Sequence, residues 1–178
     1  MRPRSFLVVL LLGSYDPQTK ELLYKLKEEV VKAYAGTKDR VYAFLLEELE
    51  MYSFEGGGTL ILERTHEEKA TAYIVDPLGT LEEVLEVRRE KALEEVERLC
   101  GKTVKEKLRA LDEVYSLADS PNTVVVLVRH RELTRGGEYI ELGYLASRMR
   151  PEDISRRVWF LKREGVPISS MVQELLTC

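Results

Sequence analysis

The run Ser5-Phe-Leu-Val-Val-Leu-Leu-Leu12 contains seven apolar residues in succession and no charged residue. Such a run predicts a β-strand that is covered on both faces, as in a parallel sheet. The run Asn122-Thr-Val-Val-Val-Leu-Val128 predicts a second strand of the same kind. Two further strands are predicted at Arg40–Leu46 and Val158–Leu161, and Glu47–Tyr52 is ambiguous between strand and helical turn.

Between these strands the apolar residues follow a helical period. Helices are predicted at Thr19–Ala35, Leu81–Leu99, Thr103–Leu117, Tyr139–Met149 and Ser169–Leu176. Residues 59–75 are the exception, because Thr59–Glu63 and Lys69–Val75 predict an antiparallel hairpin with a polar turn.

The alternation of strands and helices predicts an α/β fold with right-handed crossovers. We expect a three-layer sandwich with a mainly parallel central sheet, of the flavodoxin-like or Rossmann-like type. The hairpin at 59–75 is then an antiparallel insertion, and residues 1–178 form a single domain. Trp159 is expected in the core.

The composition describes a folded protein and gives no support for nucleic-acid binding. Of the 178 residues, 44% are hydrophobic and 33% are charged, and the net charge is −4. No basic field is therefore present to attract nucleic acid. The run Phe6–Leu12 is shorter than the roughly 20 residues that span a bilayer, and no small-x-small cleavage pattern follows it. We expect a cytoplasmic protein with no membrane partner.

The small numbers of cysteine and histidine residues limit the kinds of catalytic chemistry that the sequence supports. Cys100 and Cys178 form neither a disulfide framework nor a metal set, and His66 and His130 are the only histidines. Zinc chemistry and a histidine-based triad are accordingly disfavoured, which leaves carboxylates, hydroxyls and backbone amides. The scarcity of Asn and Gln beside abundant Glu, Lys and Arg indicates a thermophilic source.

Two glycine-bearing loops follow the two most apolar strands. They are Gly13-Ser14-Tyr15-Asp16 and Leu133-Thr134-Arg135-Gly136-Gly137. Ligands of open α/β sheets bind beyond the carboxyl ends of the strands, so neighbouring strands would bring both loops to one crevice. Glycines there let backbone N–H groups approach a ligand, although they equally serve tight turns.

The second loop opens the helix that carries Glu138 and Glu141. These residues are three apart, on adjacent turns of one face. The helix dipole favours ionised carboxylates at this end, and an ionised carboxylate is suited to nucleophilic attack. The alternative is that acids in a first turn simply favour helix formation.

Residues 122–128 followed by Arg135-Gly-Gly-Glu-Tyr-Ile-Glu-Leu-Gly-Tyr-Leu-Ala146 resemble the nucleoside 2-deoxyribosyltransferase family. The resemblance implies that Glu141, in the Glu-Leu-Gly-Tyr motif, is the nucleophile that attacks the anomeric carbon. It implies that Asp112, or less well Asp119, is the acid or base facing the leaving nucleobase. It also implies a homo-oligomer that acts on a nucleoside or nucleotide without a metal or organic cofactor.

The two glycine-bearing loops, taken together with the resemblance, indicate the substrate-binding candidates. Arg135 stands where transferases of the family commonly carry an aspartate, and with the amides of Gly136 and Gly137 it suits a 5′-phosphate. Tyr15 and Tyr139 are candidates to stack on the base, and core packing is the alternative for each of them. Gly13, Ser14 and Glu138 complete the set of substrate-binding candidates.

Three functions remain open from the sequence. The first is N-glycosidic bond cleavage or transfer through Glu141. The second is a non-catalytic nucleotide-binding or oligomeric interaction domain. Arg135 favours it, and so does the loop Gly13–Asp16, which lacks the Gly-Pro-Phe-like pattern usual in the family. The third and weaker one is NAD glycohydrolysis on a Toll/interleukin-receptor-like fold, which also uses a helix-borne glutamate.

Overall fold

The computed structural model describes residues 6–13, 16–36, 40–77, 81–118, 122–129 and 137–162. In chain order the elements within these ranges are β1 (Phe6–Gly13), α1 (Pro17–Tyr34), β2 (Arg40–Leu45), β3 (Leu49–Phe54), β4 (Thr59–His66), β5 (Lys69–Val75), β6 (Leu81–Arg88), α2 (Ala92–Cys100), β7 (Val104–Lys107), α3 (Ala110–Ala118), β8 (Thr123–Arg129), α4 (Gly137–Arg148), α5 (Pro151–Arg157) and β9 (Val158–Lys162). Two short 3-10 turns precede β3 and α2.

The chain divides into two compact units. The parallel unit comprises the described residues up to Leu46 and from Val114 onward, and the antiparallel unit comprises Glu47–Glu113. The border between them falls inside α3. Each unit has its own sheet, so each is described separately.

The parallel unit contains a four-stranded sheet in the order β2-β1-β8-β9, and its neighbouring strands all pair in parallel. Residues of β1, β2 and β8 that point to one face pack against α1, with Leu11, Leu23 and Val126 among the buried members. The β1–β2 and β8–β9 connections run in opposite directions along the sheet. Right-handed crossovers therefore place α1 on one face and α4 and α5 on the other.

The antiparallel unit contains a five-stranded sheet in the order β6-β5-β4-β3-β7. Its strands pair antiparallel throughout. One face packs against α2: Leu60 and Leu62 of β4 and Ala72 of β5 are buried with Val96 of the helix. α2 ends at Gly101, which has a φ of 65° and so takes the left-handed conformation that closes a helix.

The predicted fold class is wrong. The hairpin at 59–75 is present as β4 and β5, but these strands do not extend a mainly parallel central sheet. They belong to a separate antiparallel sheet together with β3, β6 and β7. The parallel sheet is thus confined to four described strands. The error arises because strand signals in a sequence do not state which strands pair with which.

Three local predictions are also wrong. Leu81–Leu99 is a strand followed by a shorter helix, since Leu81–Arg88 forms β6. Thr103–Leu117 likewise contains the strand β7 before α3 begins. Trp159 is 55% exposed and is not a core residue. The predicted helix at Ser169–Leu176 lies outside the described residues.

Candidate functional site

The strand order of the parallel sheet reverses between β1 and β8. Gly13, the last residue of β1, is the register partner of Val128 near the end of β8. From this pair the sheet continues to β2 on one side and to β9 on the other. The two most apolar strands are therefore neighbours, as the predicted crevice requires. In open α/β sheets this reversal is where ligands bind, beyond the carboxyl ends of the strands.

Four of the predicted substrate-binding residues lie outside the described residues: Ser14, Tyr15, Arg135 and Gly136. The same holds for Asp119, the lesser candidate for the acid or base. The structure describes the strand ends that precede these positions and the helices α1 and α4 that follow them.

Gly13 has a packing reason to be glycine. A Cβ built at this position would lie 3.0 Å from Thr19 Cγ2 and 3.3 Å from Leu23 Cδ1, both on α1. It would also lie 3.3 Å from the carbonyl oxygen of Val128. The glycine thus permits close approach of α1 to the sheet at the strand reversal, whether or not a ligand also uses its backbone.

Asp16 closes the first loop by capping α1. Its carboxylate accepts hydrogen bonds from the backbone N–H of Thr19, at 3.0 Å, and from the Thr19 hydroxyl. Pro17 occupies the first helical turn, where its missing N–H costs nothing. Because Asp16 occupies the N-cap, this helix end already has a negative partner.

α4 begins at Gly137, so Glu138 and Glu141 fall in its first two turns. The structure describes only the backbone of Gly137, Glu138 and Glu141. Each glutamate precedes a fully buried leucine, Leu142 or Leu145, by one helical turn. The predicted nucleophile therefore occupies the beginning of a helix that follows β8, at the carboxyl edge of the sheet.

Tyr144, three residues after Glu141, belongs to an aromatic cluster with Tyr115 of α3. The two rings meet edge to face with their centroids 6.4 Å apart. The Arg148 guanidinium lies 4.8 Å from the centroid of Tyr144 and 5.2 Å from that of Tyr115. These contacts join α4 to the part of α3 that belongs to the parallel unit.

Asp112, the predicted acid or base, is exposed in the first turn of α3. It belongs to the antiparallel unit, whereas Glu141 belongs to the parallel unit. The structure thus supplies an accessible carboxyl group at Asp112, and the pairing of its role with Glu141 stays a prediction.

A second carboxyl cluster, which the sequence did not indicate, lies in the antiparallel unit. The Tyr52 hydroxyl donates a hydrogen bond of 3.0 Å to Glu50 Oε2. Burial, this hydrogen bond and the charge of Glu50 raise the pKa of Tyr52 to about 12. Glu113 is 8% exposed, and its Oε2 is buried without a hydrogen-bond partner.

Burial also raises the pKa of Glu113 to about 7; Lys107 opposes this rise and Glu50 adds to it. A carboxyl group with such a pKa can exchange a proton near neutral pH. Glu50 and Tyr52 are two residues apart on one strand and therefore share a face. The sequence did not indicate this pair, because residues 47–52 are ambiguous between strand and helical turn. Glu113 gave no sequence signal, because its burial depends on tertiary contacts.

A cavity of about 550 Å³ opens on the antiparallel sheet, on the face that carries Glu50. It is lined by six glutamates, two arginines and one lysine around Leu49, Leu62 and Ala70. The arginines hold the walls together: Arg64 donates to the Glu47 carbonyl oxygen and Arg89 to that of Glu67. The excess of carboxylates makes this cavity unsuited to a phosphate-bearing ligand.

Among the described residues, no group of three or more His, Cys, Asp or Glu side chains is arranged to hold a metal ion. None of the helices in the described ranges has the length and apolarity needed to cross a membrane. Comparisons with protein-family models, curated proteins and solved structures gave no match to this chain.

Proposed function

We propose that the protein cleaves or transfers the N-glycosidic bond of a nucleoside or nucleotide, with Glu141 as the nucleophile. One observation carries the proposal: β1 and β8 are neighbours at the reversal of strand order, and α4, which bears Glu141, begins just after β8. This position is the one at which an α/β sheet presents groups to a small ligand. The resemblance of residues 122–146 to deoxyribosyltransferases supports the same assignment.

In the proposed reaction, a carboxylate oxygen of Glu141 attacks C1′ from the face opposite the base. The C1′–N bond breaks as the new C1′–O bond forms, and the carboxylate stabilises positive charge that develops on the sugar. Asp112 gives its proton to the departing base nitrogen. Water or a second base then attacks C1′, restores Glu141 and returns a proton to Asp112.

The substrate side of the proposal rests on the two loops at the strand reversal. Arg135 and the amides of Gly136 and Gly137 are assigned to a 5′-phosphate, and Tyr15 or Tyr139 to the base. Ser14, Gly13 and Glu138 complete the proposed binding set. Neither a metal nor an organic cofactor takes part in this scheme.

Incubation with a panel of nucleosides, nucleoside monophosphates and NAD, followed by chromatography of free base, tests the proposal. We expect base release by the native chain and its loss in Glu141→Gln. Glu28→Gln, a matched change on the exposed face of α1, should retain the activity. Full activity in Glu141→Gln would remove the nucleophile from the account.

The same panel tests the non-catalytic alternative. Thermal stabilisation by a nucleotide without any release of base would identify a nucleotide-binding domain and would contradict the enzymatic proposal. Release of nicotinamide from NAD alone would assign the site to NAD glycohydrolysis.

A further inference from the structure

The cavity of about 550 Å³ belongs wholly to the antiparallel unit, because all of its lining residues fall within Glu47–Glu113. Glu50 is the register partner of Leu62, and Arg64 is that of Ala70, so these four side chains share one face of the sheet. Leu62 and Ala70 are also members of the core that packs against α2. The cavity therefore borders this core.

The wall of the cavity carries an excess of negative charge. Its six glutamates stand against two arginines and one lysine, which gives a formal charge of −3. Both arginines donate to backbone carbonyl oxygens of the wall, Arg64 to that of Glu47 and Arg89 to that of Glu67. These two bonds hold the wall together and use no carboxylate oxygen. A cavity of this sign attracts a cation.

The carboxylates are spread over the wall. They come from the turn before β3, from the β4–β5 turn with Glu67 and Glu68, and from the turn before α2 with Glu90. Within the described ranges, no three His, Cys, Asp or Glu side chains are arranged to hold a metal ion. A cation whose charges are distributed along its length fits this arrangement better than a single metal ion, which requires ligands around one point.

The cavity also has an apolar part. Leu49, Leu62 and Ala70 belong to its lining and are buried. The hydrocarbon stems of long amines pack on such a surface while their charged groups pair with carboxylates. The volume of about 550 Å³ is that of a typical small-molecule site. Both features match a molecule in which methylene chains alternate with ammonium groups.

The buried carboxyl group of Glu113 interacts with this wall. Glu113 is 8% exposed, and its Oε2 is buried without a hydrogen-bond partner. Two groups that act on it electrostatically, Lys107 and Glu50, line the cavity. A cation bound beside Glu50 adds positive charge near a carboxyl group whose ionised form has too little of it, and so stabilises that form.

We propose that this cavity binds an aliphatic polyamine, whose ammonium groups pair with the glutamates of the wall and whose methylene groups pack on Leu49, Leu62 and Ala70. The proposal gives the chain a second ligand site. It does not depend on the N-glycosidic activity assigned to Glu141.

Calorimetric titration of the full chain with spermidine at low ionic strength tests the proposal. We expect saturable binding to one site, and the affinity should fall as sodium chloride is added. The triple variant Glu67→Gln/Glu68→Gln/Glu90→Gln removes three exposed carboxylates of the wall. It should weaken binding by roughly tenfold, because each exposed ion pair contributes little by itself.

A control variant separates the cavity from the overall charge of the chain. It removes the same charge from three exposed glutamates of the antiparallel unit that are not part of the cavity lining: Glu82→Gln/Glu86→Gln/Glu106→Gln. We expect it to bind spermidine as tightly as the native chain. An equal loss of affinity in the two triple variants would overturn the proposal, and so would the absence of binding to the native chain. Circular dichroism establishes that each variant is folded before it is compared.

Two further ligands test the chemical class. Hexaamminecobalt(III) carries the same charge as spermidine at neutral pH but has no methylene chain, so it should bind the native chain more weakly. Equal affinity would show that the cavity recognises charge alone, which contradicts the proposal. Tighter binding of a tetralysine peptide than of spermidine would assign the cavity to a basic protein segment and would also contradict it.

Discussion

The carboxyl group of Glu113 is buried, and its ionisation therefore costs folding free energy. Its Oε2 is buried without a hydrogen bond, and the groups that interact with it electrostatically are Glu50, Tyr52 and Lys107. Only Lys107 favours the ionised form. The folded protein therefore prefers this glutamate protonated, and its pKa rises to about 7 from the usual 4.5.

The sign of the resulting pH dependence follows from linkage. Because the pKa is higher in the folded state, the folded state binds more protons between pH 4.5 and 7, and stability falls as pH rises through this window. Above pH 7 the ionised group costs up to about 3 kcal/mol of unfolding free energy. Glu113→Gln removes the ionisation, so it should stabilise the protein at pH 8 and have little effect near pH 4.5.

Urea denaturation at both pH values measures this difference. Glu106→Gln provides the control, because Glu106 is exposed on β7 and the substitution removes the same charge. If both variants show the same difference between pH 4.5 and pH 8, the burial of Glu113 has no thermodynamic consequence. Burial would then not explain a raised pKa of Glu113.

The sequence located candidate residues only where local patterns carry the information. Glu141 was found because an apolar run, a glycine loop and a helix with a short motif follow one another along the chain. Glu50, Tyr52 and Glu113 were not found, because their proximity depends on the pairing of β3 with β7 across more than fifty residues. Spacing along the chain carries no trace of such a contact.

At the scale of elements, β6 shows how an irregular strand imitates a helix. The register between β5 and β6 shifts between Ala72 and Tyr73, which inserts an extra residue into β6. The bulge interrupts the alternation of apolar and polar residues. Leu81, Val84 and Leu85 then stand three and four residues apart, which is the spacing of a helix face.

Strand β7 was missed for a different reason. It lies at the edge of the antiparallel sheet, and three of its four residues, Lys105, Glu106 and Lys107, are charged and exposed. Charges protect an edge strand from pairing with other chains. They also remove the apolar alternation by which a strand is recognised, so the charged run was assigned to a helix.

The packing of α1 on the sheet gives an element-scale prediction. Gly13→Ala places a methyl group against Thr19, Leu23 and the Val128 carbonyl, and overpacking of this kind typically costs about 1–3 kcal/mol. Gly143→Ala is the control, because a Cβ at this helical position has no neighbour within 4 Å. It should stabilise by up to about 1 kcal/mol through helix propensity.

Thermal denaturation of the two variants gives the comparison. A lower melting temperature in Gly13→Ala and an unchanged or higher one in Gly143→Ala would agree with the packing of α1. A Gly13→Ala variant as stable as the native chain would show that α1 does not approach the sheet this closely.

At the scale of the whole molecule, most elements could be predicted from the sequence, but their division between two sheets could not. The strands β1 and β8 are covered on both faces. They can be recognised in the sequence because they are continuous apolar runs. The antiparallel sheet forms from strands that each carry a weaker alternation. β3 pairs with β4, which follows it directly, and also with β7, which comes much later in the chain. Only those long-range pairings separate the two units.

The family resemblance gives a prediction for the assembly. Members of the deoxyribosyltransferase family are usually homo-oligomers, so sedimentation equilibrium should yield a multiple of the 20.5 kDa chain mass. Dilution over a wide concentration range should leave the assembly intact. A mass of 20.5 kDa at all concentrations would count against the resemblance, and the site would then have to function within one chain.

The most direct test of the account is to trap the sugar on Glu141. A nucleoside with fluorine at C2′ destabilises the oxocarbenium-like transition state and slows release of a covalent glycosyl-enzyme. Intact-protein mass spectrometry should then show the addition of one fluorinated sugar, and digestion should locate it on the peptide containing Glu141. An adduct on another residue, or base release by Glu141→Gln at the native rate, would contradict the account.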